Sequence, residues 1–250
     1  MSGKKTRPGF VPEAEQPYKI PDNWRWVRLG GITTIVGGGT PSTKNKAYYE
    51  NGDIPWISPA DLSNYSERYI SHGAKNISRL GLEKSSAQLL PADTVCLSTR
   101  APIGYVVIAR NPLSTNQGFK SFLPSPTYLP EYLYWYLKGN KDLLESRASG
   151  TTFLELSGRK AANIEFPLPP LAEQARIVER IESLLTKLDK ARRNIVAVSG
   201  HNDAKNTVLG KIDIMERAIL GRAFRGELGT NRPEESPCDI VRAEMEGDNI

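Results

Sequence analysis

A heptad seam in the last third of the chain constrains its fold more than any other feature. Apolar residues fall at Ile177, Ile181, Leu184, Leu188, Ala191, Ile195 and Val198, in steps that alternate four and three. That spacing keeps a narrow apolar stripe on one helix face and is the a/d pattern of a coiled coil. With Ile177 at a, the phase outlasts the turn-like Ser199-Gly200-His201-Asn202: Leu209 falls on d, Ile212 and Ile219 on a, and Ala223 on d. Either one long helix passes through, or two helices meet at a kink near Gly200. An interior glycine costs a helix only about 1 kcal/mol. Such a seam cannot be hidden by the helix that carries it. The expected cover is a partner helix, or else the chain's own globular domain. Ile177, Ile181, Leu184, Leu188, Ile195, Val198, Ile212 and Ile219 are the expected partner-helix contacts.

The helical region has legible limits. Pro167-Leu168-Pro169-Pro170 is a stiff hinge, and proline in a first helical turn favours the helix that follows. Gly226 suits a C-cap. The expected division is an extended lead-in over 1–20, a mixed domain over 21–166, a helical region over 167–226 and a polar tail over 227–250, with at most a short helix near 241–246. Within the mixed domain, Trp24-Arg25-Trp26-Val27-Arg28-Leu29 alternates as a strand does. Further strand-like runs are expected over 32–36, 54–57, 94–97, 105–109, 119–123 and 163–166, separated by Gly, Pro, Asn and Ser clusters. One aromatic-rich helix is expected from Pro130 to Arg147. The fold class is α+β: a loop-rich, strand-containing domain followed by a long coiled-coil helix. No internal repeat of the domain is evident.

Composition narrows the function classes. The 250 residues carry a formal net charge of +5, a mild excess that suits a polyanion partner without requiring one. Cys96 lies in the apolar run Thr94-Val95-Cys96-Leu97 and reads as core, while Cys238 lies in the polar tail. Their spacing suggests neither a disulfide framework nor a zinc site. A cytoplasmic setting is the default. No apolar run approaches the roughly 18 residues of a membrane span, and no signal-like h-region follows Met1. His72 and His201 sit beside glycines and read as solvated loop residues rather than catalytic bases. A metal-dependent nuclease would need an acidic residue plus a Glu-x-Lys or Asp-x-Lys pair on a strand. Only Asp203-Ala204-Lys205 fits the letters, and it falls in the helix break. A self-sufficient methyltransferase would need a glycine-rich loop opening a helix and an Asn- or Asp-Pro-Pro-aromatic motif. Pro41 spoils the first and the second is absent. No catalytic residue, metal or cofactor is expected on this chain.

Two stretches carry a family resemblance. The first is Pro167-Leu168-Pro169-Pro170-Leu171-Ala172-Glu173-Gln174 with Ile177-Val178. The second is Ala218-Ile219-Leu220-Gly221-Arg222-Ala223-Phe224-Arg225-Gly226-Glu227-Leu228. Together they resemble the conserved region of the specificity subunit of type I restriction–modification enzymes. Upstream, five motifs resemble that family's target-recognition domain and occur in its order: Trp26-Val27-Arg28-Leu29-Gly30, residues 37–42, residues 54–62, residues 98–104 and Thr115-Asn116-Gln117-Gly118. The resemblance implies a non-catalytic subunit that reads double-stranded DNA at a split site. It also implies docking to methyltransferase subunits, which bind S-adenosylmethionine and methylate adenine, and an accompanying restriction/translocase subunit. The usual member has two recognition domains joined by two long antiparallel helices. One domain and one helical region are found here, which implies a half-length form and a homodimer through antiparallel helices. A coiled-coil adaptor that does not read DNA is the alternative.

Reading DNA needs cations for phosphates and polar side chains for base edges. The loop of residues 37–46 offers Thr40, Ser42, Thr43, Lys44 and Lys46 beside glycines that let backbone approach a phosphate; a glycine turn with solvated lysines reads the same letters. Ser98, Thr99 and Arg100 leave a strand for the turn at Pro102, where Arg100 meets either DNA or loop carbonyls. Thr151, Thr152, Arg159 and Lys160 flank the hinge and offer hydroxyls and cations.

Overall fold

The computed structural model describes residues 9–100, 102–150, 154–197 and 203–236, with side chains from 206 onward in the last segment. The mixed α+β class expected from the sequence is observed. In chain order the elements are β1 (Arg25–Arg28), α1 (Leu29–Ile32), β2 (Ile35–Gly37), β3 (Ile54–Ile57), β4 (Tyr69–Ile70), β5 (Lys75–Ile77) and α2 (Arg79–Glu83). Then come β6 (Val95–Thr99), β7 (Ile103–Ala109), β8 (Ser114–Thr115) and β9 (Phe119–Phe122). The helical end comprises α3 (Pro130–Gly139), α4 (Lys141–Arg147), α5 (Gly158–Ala162), the strand β10 (Glu165–Leu168), α6 (Leu171–Ala197) and α7 (Asp203–Ala223).

Three sheets organise the domain. The largest has the order β2-β9-β6-β7-β4; the second is β5-β3-β8; β1 and β10 form an antiparallel pair. That last pair sets Arg25 opposite Leu168 and so brings the two ends of the domain together at the hinge. Helix α3 covers the large sheet, burying Tyr132, Leu133, Tyr136 and Leu137. Tyr132 and Tyr136 meet Phe166 and Phe224 edge-on at 5.0–5.4 Å, and each ring's hydroxyl donates to a backbone carbonyl, of Pro167 and Glu165 respectively. Buried tyrosines thus keep their polar ends satisfied. Phe224 comes from the far end of the helical region, so that motif serves the core.

Several expectations need correction. The helix expected over 130–147 is two, broken at Asn140, whose Nδ2 donates to the Tyr136 carbonyl at 2.8 Å. Leu29 and Ile32, expected to end one strand and begin the next, belong to a helical turn over 29–32, and β4, β5 and β8 were too short to show a period. Of the two arrangements that the sequence left open, two helices are observed, α6 and α7, packed antiparallel: Arg192 reaches Asp213 and Glu216 at 2.8 and 2.7 Å. The bend and Val198 lie outside the described residues. Much of the seam is therefore covered within the chain. Ile177 and Ile181 are fully buried in the domain core, and Ile212 is buried too, so none of the three is free for a second chain. Ile219 packs partly buried against the same core, while Leu184, Leu188 and Ile195 remain half-exposed. The lead-in is also folded on: Val11 is buried and its N–H donates to the Trp26 carbonyl at 3.0 Å. The start of the tail docks as well, through a bidentate Arg176–Glu235 pair at 2.9 and 2.7 Å. Residues 241–246 lie outside the described residues.

Two buried polar side chains fix the hinge. Gln174 accepts from the Leu129 N–H at 2.8 Å and donates to the carbonyls of Thr127 and Pro169, both at 3.0 Å. It thereby ties the N-terminus of α3 to the start of α6. Glu173 accepts the indole N–H of the buried Trp24 at 2.9 Å. Burial pushes the Glu173 carboxyl above its usual range, against the opposing pull of the Trp24 hydrogen bond and of Arg176. At the far end, Gly226 has φ +75° and its added Cβ would lie 2.4 Å from Pro21. The Gly226 N–H bonds Ala223 and the Glu227 N–H bonds Arg222, a Schellman closure that only glycine fits comfortably.

Replacing Gln174 with alanine strands one amide and two carbonyls in the core. The expected loss is about 2–4 kcal/mol of unfolding free energy, read from urea denaturation. A variant as stable as the parent would mean that water or a neighbour takes over these groups.

Candidate nucleic-acid interface

The strand directions bring the sequence motifs together. β2 is antiparallel to β9, β9 to β6, and β6 to β7. The C-terminal ends of β2 and β6 therefore lie beside the N-terminal ends of β9 and β7. The parallel pair β3–β8 delivers its C-terminal ends nearby, since the Asn116 N–H donates to the Ile57 carbonyl at 2.9 Å. Loop residues 38–46, 58–62, 100, 102 and 116–118 consequently gather at one end of the domain.

The glycines there are demanded by close approach. A Cβ on Gly38 would sit 1.9 Å from the Asn116 carbonyl oxygen, and one on Gly39 would sit 2.2 Å from the Ala87 nitrogen. Gly39 donates to Thr115 and accepts the indole N–H of Trp56 at 3.0 Å. Pro41 is buried and its carbonyl accepts from the Tyr49 hydroxyl. With Gly39 and Pro41 anchored inside, Thr40, Ser42, Thr43, Lys44 and Lys46 all project into solvent. Thr40 hydrogen-bonds Gln117 of the neighbouring loop, which is also exposed.

The second motif divides. Ser98 and Thr99 are fully buried, which removes both hydroxyls from any ligand-facing surface. Gly104, with φ +99°, and Tyr105 of β7 stand opposite Ser98 alone, a bulge in the ladder. The Ser98 hydroxyl fills the gap, accepting from the Tyr105 N–H and donating to the Pro102 carbonyl, each at 2.8 Å. Thr99 bonds the Gly118 carbonyl through both its N–H and its hydroxyl. Both residues hold the loops; they are corrected from ligand contacts to supports. Arg100 remains partly exposed, and among the described residues it makes no hydrogen bond to a loop carbonyl.

Thr151 and Thr152 lie outside the described residues. Arg159 is exposed on α5, whereas Lys160 turns inward and donates to the Arg147 carbonyl at 2.7 Å. Sequence reasoning missed Lys120 on β9, opposite Gly37 of β2, and Lys75 and Asn76 on β5. A lysine inside the apolar run Phe119-Lys120-Ser121-Phe122 was the available signal for the first. Lys75 and Asn76 lie on a three-residue strand that carries no periodic signal. Asp61 braces the loop after β3. Burial pushes its carboxyl up, but hydrogen bonds from the Ala74 N–H, the Ser58 hydroxyl and the Ser58 N–H, at 2.7–2.8 Å, outweigh it. The net result is a carboxyl held below its usual range. Elsewhere, burial pushes the thiol of the core residue Cys96 up to about 12, and His72 is exposed.

Residues 21–197 match the sequence profile of the type I restriction modification DNA specificity domain. The chain is 44% identical over 161 residues to the type I restriction enzyme MjaIX specificity subunit of Methanocaldococcus jannaschii, covering 64% of this chain and 37% of that protein. It is 32% identical over 180 residues to the EcoR124I/EcoR124II specificity subunit of Escherichia coli, covering 68% of this chain and 42% of that protein. Among solved structures, the HsdS subunit from Thermoanaerobacter tengcongensis superposes with a TM-score of 0.55 at 25% identity, over 87% of this chain and 48% of that one. A chain from a structure of type I R-M complex assembly gives 0.56 at 26% identity, over 87% and 49%. This chain thus spans less than half the length of each of these proteins.

Asp61 gives the interface a pH signature. A carboxyl depressed in the fold adds stability that is complete above its unfolded pKa and is lost as pH falls through the folded one. Asp61→Asn is therefore expected to lower the urea midpoint at neutral pH, with the gap to the parent closing progressively below about pH 4. A gap independent of pH would show that the carboxylate's charge does not matter to the loop.

Proposed function

Because the chain belongs to the family of type I restriction–modification DNA specificity domains, we propose that it reads one half of a split DNA site and docks an adenine-methyltransferase subunit, itself contributing no catalytic group. The observation that carries this reading is the convergence of four loop segments at one end of the domain, with Gly39, Ser98 and Thr99 buried as supports and Thr40, Ser42, Thr43, Lys44 and Lys46 exposed. Phosphate contacts from Lys44, Lys46, Lys75 and Arg159 would set register. Exposed Thr40, Ser42, Thr43 and Gln117 offer donors and acceptors to base edges. S-adenosylmethionine belongs on the methyltransferase partner, and a restriction/translocase subunit joins the same assembly. None of the helices among the described residues is long and apolar enough to cross a membrane, and we assign the chain to the cytoplasm.

The helical hairpin is the docking element of the proposal. Leu184, Leu188 and Ile195 are half-exposed, and Val196, Val208, Ile214 and Met215 are between 40% and 59% exposed. An apolar run of that kind on a helix pair suits cover by further helices, from the methyltransferase subunit or from a second copy of this chain. Two copies would present identical readers related by a two-fold axis, which select an inverted repeat of identical half-sites. An asymmetric target selected by the chain without other specificity subunits would rule out the homodimer.

The DNA reading is tested by fluorescence titration of a random-sequence duplex at several salt concentrations. The parent chain is expected to bind weakly, with affinity falling steeply as salt rises. Replacing both Lys44 and Lys46 with alanine is expected to reduce the log–log salt slope by about 2 without changing thermal stability. Binding that ignores salt, or no binding in low salt, would favour a coiled-coil adaptor instead.

A further inference from the structure

The cations at the sheet end are unequal. Among the described residues, Lys44, Lys46, Lys75 and Arg159 have no carboxylate within ion-pair distance, whereas Arg100 and Lys120 share one. Glu155 lies between them, with Oε2 3.9 Å from Arg100 Nη1 and Oε1 3.6 Å from Lys120 Nζ. The backbone fixes its position. Ser149 and Glu155 exchange two hydrogen bonds of 3.1 and 3.0 Å as an isolated antiparallel bridge. The next residue, Leu156, is fully buried and its N–H donates to the Thr99 carbonyl at 2.9 Å. Thr99 is the support that precedes Arg100, so carboxylate and guanidinium hang from one hydrogen-bonded unit. Glu155 itself stays open to solvent, with its side chain 41% exposed.

We propose that Glu155 is a specificity-determining positioning residue, which holds Arg100 and Lys120 back from indiscriminate phosphate binding by occupying the place a DNA phosphate would take between them. The inference rests on the DNA reading above. Cation–phosphate contact is the sequence-independent part of DNA affinity, and each phosphate neutralised steepens the salt dependence. A reader that must find one site among many gains by lowering that part relative to base contacts. Carboxylate and phosphate oxygens compete for the same guanidinium and ammonium donors. At a random sequence, displacing Glu155 brings no compensating base contact. At a cognate sequence the freed carboxylate can accept from a base-edge donor such as the cytosine amino group. The four unpaired cations supply the initial hold; the two paired ones are engaged last.

The test uses the full chain, a fluorescent random-sequence duplex and a salt series. Glu155→Gln is expected to bind the random duplex about 3–10-fold more tightly at low salt, with a log–log slope steeper by about 1–2. In the parent background, Lys120→Gln and Arg100→Gln are expected to leave slope and affinity for this duplex almost unchanged, since these cations are already engaged. Should Glu155→Gln lose thermal stability, the two cation variants decide alone: a slope reduced in either overturns the proposal. So does a stable Glu155→Gln chain that binds the random duplex no better than the parent. A parent chain that fails to bind duplex at any salt removes the DNA reading itself, a result distinct from a parent that binds while Glu155 has no effect.

Discussion

The Gln174 carboxamide is the interaction on which the arrangement of domain and helices depends. Its three hydrogen bonds join the entry to α3, the proline hinge and the first turn of α6. Leaving any of those backbone groups unpaired in the core would cost more than a typical hydrogen bond contributes. Glu173 and Trp24 add a second bond at the same junction, where the β1–β10 pair closes the domain. The helices therefore leave the domain in a fixed direction. Phe224 returns from the end of α7 to the Tyr132–Tyr136 cluster, so both ends of the hairpin are anchored in one core. The sheet end and the hairpin are then parts of one frame.

Within that frame the loop motifs divide into supports and exposed residues. Gly39, Ser98 and Thr99 are buried, and Gly38 abuts Asn116. They set where the loops sit. What the loops present, from Thr40 to Lys46 and at Gln117, is exposed and free to differ without disturbing the supports. The same division appears in the electrostatics. Supports such as Asp61 are held by hydrogen bonds, whereas the side chains of Lys44, Lys46, Lys75 and Arg159 meet no carboxylate among the described residues.

The sequence made some of this readable and concealed the rest for physical reasons. Strand β3 was legible because an apolar run bounded by Gly and Pro has few other uses, whereas half of the expected proline hinge, Pro167 and Leu168, belongs to β10. Gly226 was legible because a left-handed C-cap selects glycine. Ile177, Ile181, Ile212 and Ala223 of the seam are buried, yet periodicity cannot say what covers a seam. Ile177 and Ile181 bury in their own domain and α7 folds back on α6, which a/d spacing alone does not distinguish from a partner chain. Hydroxyls were the other failure. Ser98 and Thr99 look like DNA contacts in a list of letters, but a bulge in the β6–β7 ladder claims the first and the Gly118 carbonyl claims the second. Lys120 and Glu155 went unread because their significance arises only when β9 and the loop before α5 meet.

The claim that unites these observations is that the chain uses two separate surfaces, one for DNA and one for protein. Amide hydrogen exchange of the full chain, with and without duplex DNA, measures this most directly. The account predicts that DNA slows exchange in residues 38–46, 116–120 and 154–160 while leaving the exposed faces of α6 and α7 unchanged. Protection confined to the hairpin, or spread evenly over the domain, would contradict it.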